Sequence, residues 1–390
     1  MIDAINTAVS GLNGFTKGLQ VISNNVTNMD TPGFKGSDIQ FEDQLSSPDE
    51  QAGSSDGGGL NAYAVALDLS SGQPVQSNNP LAVAVNGNGL FVVQDAQGHV
   101  HYTRDGDFQF NAAGYLTMQD GTTRVMSLGA NGALSPITLS SVQSSAPHAT
   151  STVSFTGNLS STATTDAINS VPVYDAGGGA HDLSLAFAPA SGGAANTWTV
   201  TVSDGSTTVA TGNIAFSDGE PVPAQSKISF TYTPTGGQAQ NVTLDFSTNV
   251  TSFAAGTSST LAVGQQDGYT AGTLTNTTFN NTGALSLTYS NGQSSTGPQL
   301  ALATYGSASD LTDHGNNEFD AANGALLQLG HAGDNGFGSI QANEYEGSNV
   351  DLSSEFSELI VMQRGYQASS QLISTANQML QQLFSMDGQA

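Results

Sequence analysis

"NNVTNMDTPGFKGSDIQF" occupies residues 24–41. An apolar stripe runs into it from the N-terminus at Ile2, Ile5, Val9, Leu12, Phe15, Leu19, Ile22 and Val26. Steps of three and four residues predict a helix with one apolar face, close to the coiled-coil period. Asn24, Asn25 and Asn28 can bond nearby backbone through their side chains, which competes with the helix and ends it. In "DTPG", Pro32 fixes φ at the second position of a turn and Gly33 accepts a positive φ at the third, the chemistry of a type II turn. Phe34, Ile39, Phe41 and Leu45 then supply apolar anchors. The stretch reads as a corner from helix into extended chain.

The far end of the chain resembles the near end. Leu352, Leu359, Tyr366, Ile373 and Leu380 recur every seven residues, and Phe356, Met362, Met379, Leu383 and Phe384 widen that stripe. A helix from Leu352 to Phe384 would be about 50 Å long at about 1.5 Å per residue. Both helices have polar backs of Ser, Thr, Asn and Gln. Such helices draw most of their stability from packing. The expectation is that they pair as a coiled coil, within one chain or with other copies as well.

Between them, from about 76 to 340, the period is two. Leu183, Leu185 and Phe187 share a face, as do Trp198, Val200 and Val202, and Ile228, Phe230 and Tyr232. So do Val242, Leu244 and Phe246, and Leu285, Leu287 and Tyr289. Thr and Ser on the opposite face suit water. Asp105-Gly106, Asp120-Gly121 and Asn291-Gly292 read as hairpin turns. Antiparallel sandwiches or barrels are expected. Boundaries fall near 145–152 and 285–298, and 46–60 is a loop by composition. No internal repeat of fixed period is present. The fold class is mainly β with α-helical termini. Residues 1–28 and 352–390 form the helical domain, 29–75 a linker and corner, 76–147 and 286–351 an inner β-domain, and 148–285 an inserted outer β-domain.

Composition narrows the function. The 390 residues carry 32 acidic and 6 basic side chains, a formal net charge of −26. So few cations cannot neutralise phosphates, which argues against nucleic acid and against anionic membrane. Only 10% of residues are charged, against about 25% in ordinary soluble domains. Polarity comes from uncharged side chains, with 46 glycines. There is no cysteine, so disulfides and thiolate metal sites are excluded. No cationic and apolar leader opens the chain and no segment is long enough to span a membrane. No membrane insertion and no cleaved secretory signal are expected.

No catalytic constellation emerges. His99 and His101 alternate before Asp105 and Asp107, a pattern open to metal binding, but they read as exposed strand residues before a hairpin. "NGNGL" (86–90) lacks the rest of a dinucleotide fingerprint and reads as a turn. The acidic residues match no calcium loop, and no nucleophile motif is present. Catalytic residues, metals and cofactors are therefore expected to be none. Lys35 and Arg364 are lone cations in an acidic chain, suited to ion pairs between subunits.

"SGLNGFTKGLQVISNNVTNMDTPGFKGSDIQFEDQL" (10–45) resembles the N-terminal signature of bacterial flagellar axial proteins, the rod and hook family. "EYEGSNVDLSSEFSELIVMQRGYQASSQLISTANQML" (344–380) is similar to the matching C-terminal signature. Residues 79–121 resemble the family's shared inner β-domain. "TGNLSS" (156–161), "VPVYDAGGGAHDLSLAF" (171–187) and "NTWTV" (196–200) are similar to the outer domain of its hook branch. "TGPQLALATYGSASDL" (296–311) resembles the return to the inner domain. The chain departs at Leu90, where the family usually has an aromatic residue, and at Ser370 and Gln371. The resemblance does not extend residue by residue through 203–284.

This resemblance implies a non-enzymatic subunit of a short curved hollow tube, a universal joint that passes torque from rod to filament. The helical stripes at both ends would pair inside that tube. Asn24, Asn25, Asn28, Thr31, Pro32, Gly33, Phe34, Lys35, Ser348, Asn349, Val350, Gln363 and Arg364 would contact neighbouring subunits. Implied partners are further copies of the chain, the distal rod protein, the hook-associated junction protein, the hook cap protein and the flagellar type III export apparatus. A distal rod subunit is the alternative within the family. A secreted β-rich adhesin is the alternative outside it.

Overall fold

The computed structural model describes residues 2–45, 57–191, 196–322 and 325–387. The chain is mainly β with one helix at each end: α1 spans Ile2–Thr27 and α2 spans Leu352–Asp387. The side chains of Ile2, Leu45, Leu383 and Phe384, the stretch 46–56 and residues 388–390 lie outside the described residues. The chain divides into two compact units. The first comprises 1–141, 277–287 and 295–390, and the second 142–276 and 288–294.

In the first unit the corner leads into a hairpin, β1 (Ser37–Leu45) antiparallel to β2 (Gly57–Leu67). The loop expected over 46–60 therefore stops short, because Gly57–Leu60 finds a ladder partner in β1. The Phe15 and Phe41 rings stand 6.2 Å apart between α1 and this hairpin. Next, β3 (Pro74–Gln76) pairs with Glu344–Glu346, and β4 (Val83–Asn86) pairs with Ser339–Ala342. Both pairings bring chain just after the corner onto chain just before α2. The larger sheet is woven in the same way. β5 (Leu90–Gln94) pairs with β6 (Val100–Thr103) and with Leu302–Thr304, and β6 pairs with Glu318–Ala321.

Two expectations for this sheet are corrected. Asp105-Gly106 is no hairpin turn, since β6 pairs with β5 and Glu318–Ala321 instead of the next strand. Gly106 is a crossing point: its carbonyl accepts from Val83 N at 3.0 Å, and a Cβ there would strike the Val83 carbonyl. His99 is exposed as expected, but His101 is buried, because β6 has strands on both sides and Asp320 directly across from the ring. Asp120-Gly121 does join paired strands.

The second unit holds two five-stranded sheets around one core. One sheet runs Asp166–Tyr174, Ala180–Pro189, Thr197–Asp204, Thr207–Ser217, Glu220–Pro221, each antiparallel to the next. The predicted faces are the buried ones: Leu183, Leu185, Phe187, Trp198, Val200, Val202, Val242, Leu244 and Phe246 all point into that core. The pairing is not wholly antiparallel. Thr152–Asn158 runs parallel to Gln240–Asp245 and to Val250–Thr251. Parallel neighbours need a long crossover, and the intervening sheet supplies it.

Candidate functional site: the corner and the paired ends

The turn forms where Pro32 and Gly33 place it. Gly33 has φ +67° and Phe34 N donates to Thr31 O at 3.3 Å. Any side chain at Gly33 would be strained at that φ, and would also meet the backbone of Arg104 and Asp105. The corner is then tied to the other end of the chain. Gly33 N donates to Glu346 O (2.7 Å), and Asn317 Nδ2 to Pro32 O (3.0 Å). Asn349 Oδ1 accepts from Gly36 N (2.8 Å), while its Nδ2 donates to Asp68 O (2.8 Å).

Glu346 is the hub. Its Oε1 accepts from Lys35 Nζ (2.6 Å) and Gly72 N (2.8 Å), and its Oε2 from Arg104 Nη1 (2.8 Å). Arg104 also donates to the carbonyls of Val85 and Gly87. The Lys35 and Glu346 side chains are 0% and 3% exposed. Burial pulls the Lys35 ammonium below its usual range, against the raising effect of Glu346. Lys35 is therefore not a free cation awaiting a neighbour; its pair lies in its own chain. Arg364 is exposed on α2 with no ion pair among the described residues. Glu346 and Arg104 were not legible as a pair, although Arg104 is one of only six cations and must find a carboxylate if buried.

The helices meet antiparallel. Asn25 Nδ2 donates to Glu355 Oε1 (2.8 Å), Gly18 faces Met362, Phe15 lies on Gly365, and Gly11 faces Ser369. The buried row of α2 is Glu355, Met362, Ser369 and Ala376, seven residues apart. The row read from sequence, Leu352, Leu359, Ile373 and Leu380, is half-buried, with Tyr366 more open. Small residues decide the closeness: a Cβ on Gly18 or Gly365 would come within 2.9 or 2.5 Å of Met362 or Phe15. On α1 the buried positions are Ala8, Gly11, Gly14, Gly18, Ile22 and Asn25. Ile5, Leu12, Leu19 and Val26 are half-buried, and Val9 and Phe356 are exposed. The glycine spacing was a readable signal that the apolar stripe obscured.

Asn25 does more than end a helix. It donates to Ser37 O (2.9 Å) and accepts from Ser37 N (3.0 Å), holding the strand after the corner against the helix before it. Burial pushes Glu355, its other partner, above the usual carboxylate range. Asn28 behaves as the sequence suggests, donating to Asn24 O (2.9 Å) and meeting Thr31 Oγ1 (3.2 Å). Ser348 and Val350 are half-buried beside Asn349, whereas Asn24 and Gln363 face outward. No catalytic geometry is present in this set: it is an arrangement of clamps and apolar faces.

Family models match along the chain. "Flagella basal body rod protein" covers 5–35, "Flagellar hook protein FlgE/F/G D1 domain" 84–160, "Flagellar basal body protein FlaE D2 domain" 158–269 and "Flagellar basal body rod FlgEFG protein C-terminal" 341–386. The flagellar hook protein FlgE of Salmonella typhimurium (strain LT2) is 32% identical over 416 residues, covering 98% of this chain and 100% of the relative. The chain belongs to the flagellar hook protein family. The Escherichia coli K12 hook protein FlgE is 30% identical with the same coverage of each. By contrast, the basal-body rod protein FlgG of Caulobacter vibrioides is 34% identical across only 31% of this chain. Near-complete coverage by hook proteins against partial coverage by the rod protein favours the hook branch, and the rod and adhesin readings fall away. Membership makes this a structural protein of the hook region of the bacterial flagellum.

Proposed function

We propose that copies of this chain polymerise into the short curved hollow tube of the hook, which bends as a universal joint while passing torque from rod to filament. The observation that carries this reading is the apolar surface left on the helix pair. On α2, Ile360, Val361 and Leu372 are 51%, 61% and 62% exposed, alongside Phe356 and Met379. A face of that kind marks an interaction surface. The paired ends act as a coiled coil whose open faces pack on other copies and line the tube. The β-domain of 76–147 and 286–351 forms the layer outside them, and the inserted domain of 148–285 the outermost layer. Uncharged Ser, Thr and Asn surfaces give weak outer contacts, which suits sliding between neighbours during bending. At its two ends the tube meets the distal rod protein and the junction protein. Growth proceeds under the cap protein, with chains delivered by the flagellar type III export apparatus.

The test is electron microscopy of basal bodies from a strain lacking this gene, complemented with the wild-type chain or with Val361→Asp/Leu372→Asp. The expected result is complete rods without hooks in the deletion, hooks with the wild type, and none with the double variant, which is still exported and is recovered as a folded monomer outside the cell. Truncated rods in the deletion, or normal hooks with the double variant, would overturn the reading.

A further inference from the structure

Three side chains in the first unit come together for no reason that assembly supplies. His101 lies on β6, and His314 and Glu318 lie on the strands Leu311–Gly315 and Glu318–Ala321, which pair with each other and, through the second, with β6. One donor atom from each of the three falls within 4.8 Å of the others. The two imidazole rings stand 4.3 Å apart, centroid to centroid. A single carboxylate, Asp320, holds both rings. His101 Nδ1 is 2.6 Å from Asp320 Oδ1, and His314 Nδ1 is 2.8 Å from Asp320 Oδ2.

This is the chemistry that orients histidine ligands. A carboxylate bonded to one ring nitrogen fixes the tautomer and leaves the lone pair on the other. With both Nδ1 atoms engaged by Asp320, the free lone pairs are on Nε2. The His101 side chain is 4% exposed, and its Nε2 is buried without a hydrogen bond of ordinary length. Asp95 Oδ2 stands 3.5 Å from it. At that length the contact is too weak to satisfy a buried nitrogen, so a ligand there would make good the shortfall.

We propose that His101, His314 and Glu318 bind a divalent transition-metal ion of the zinc class, with Asp320 as the positioning residue behind both histidines. Two imidazoles and one carboxylate suit zinc, cobalt or nickel, whereas magnesium and calcium prefer all-oxygen shells. Bonds of about 2.0–2.1 Å bring tetrahedral ligand atoms to about 3.4 Å from one another. Half-exposed His314 is free to make that small approach. The bound ion would strap the hairpin 311–321 to β6. It would also stiffen one wall of an open groove of about 660 Å3, where His314 and Glu318 face Asn28, Thr31 and Phe34 of the corner.

The test uses the full-length, untagged monomer. Cobalt(II) is titrated while its visible d–d bands are read, and zinc is then titrated by calorimetry. One equivalent per chain is expected. His314→Ala, at a half-exposed position, should weaken binding at least 100-fold, and Asp320→Asn should weaken it about 10–100-fold. His331→Ala should leave binding unchanged. Wild-type binding no tighter than that of His314→Ala, or binding that is lost with His331→Ala, would overturn the proposal. Should Asp320→Asn fail to fold by circular dichroism, His314→Ala alone decides.

Discussion

In the second unit Leu185, Phe187, Val200 and Leu244 vanish into a core shared by two sheets. On α2, Phe356, Ile360, Val361 and Leu372 stand open to solvent. The same kinds of side chain meet opposite fates within one polypeptide. The sheets alternate apolar with Thr or Ser, so each strand has one face to hide, and a second sheet hides it. The helices close on glycines and small or polar residues together with Ile22 and Met362, and leave several larger apolar side chains of α2 outward. One region completes itself, whereas the other keeps an apolar surface that, in the function proposed above, neighbouring copies finish.

That contrast can be broken in order of size. Phe187→Ala should cost the second unit about 3–5 kcal/mol in denaturant unfolding and leave the helices' ability to polymerise intact. Glu346→Gln removes the shared anion from buried Lys35 and Arg104. The first unit should lose about 3–5 kcal/mol, read as an early transition separate from that of the second unit. Gly18→Leu forces the helices apart at Met362, with an expected loss of about 1–3 kcal/mol and no assembly. Smaller still is a pH effect. Burial raises Glu355, so the folded state favours its protonated form. Its stabilisation is present below about pH 4, the ordinary carboxylate range, and is lost as pH rises through the raised value. Glu355→Gln, which keeps an acceptor for Asn25, should flatten that slope in urea unfolding followed from pH 4 to pH 8.

Strands such as Ala180–Pro189, Thr197–Asp204 and Gln240–Asp245 were legible because period two and burial coincide in them. The two helices were legible from their stripes, but not the surface on which they meet. Sequence periodicity marks the large apolar residues, whereas close approach is decided by Gly11, Gly18, Gly365 and Ser369. The corner's turn could be read from Pro32 and Gly33. Its anchor could not, since Glu346 lies far along the chain and no local pattern links it to Lys35. His101 was misjudged for the same reason: its burial depends on Asp320 and the strand that carries it. Contacts distant in sequence are where a reading by pattern stops.

The partners of the corner are separated by 311 residues in Lys35–Glu346 and by 330 in Asn25–Glu355. β3 and β4 likewise wait for strands that come just before α2. Closing loops of that length is slow, and the contacts give nothing back until the last element arrives. A chain emerging N-terminus first can therefore assemble its second unit early. The corner of its first unit cannot close until Glu346, Asn349 and Glu355 have arrived. The clamp at Glu346 therefore dates the event: a chain cut short before that residue leaves Lys35 and Arg104 without their shared carboxylate, and the corner can lock only once the stretch leading into α2 has arrived.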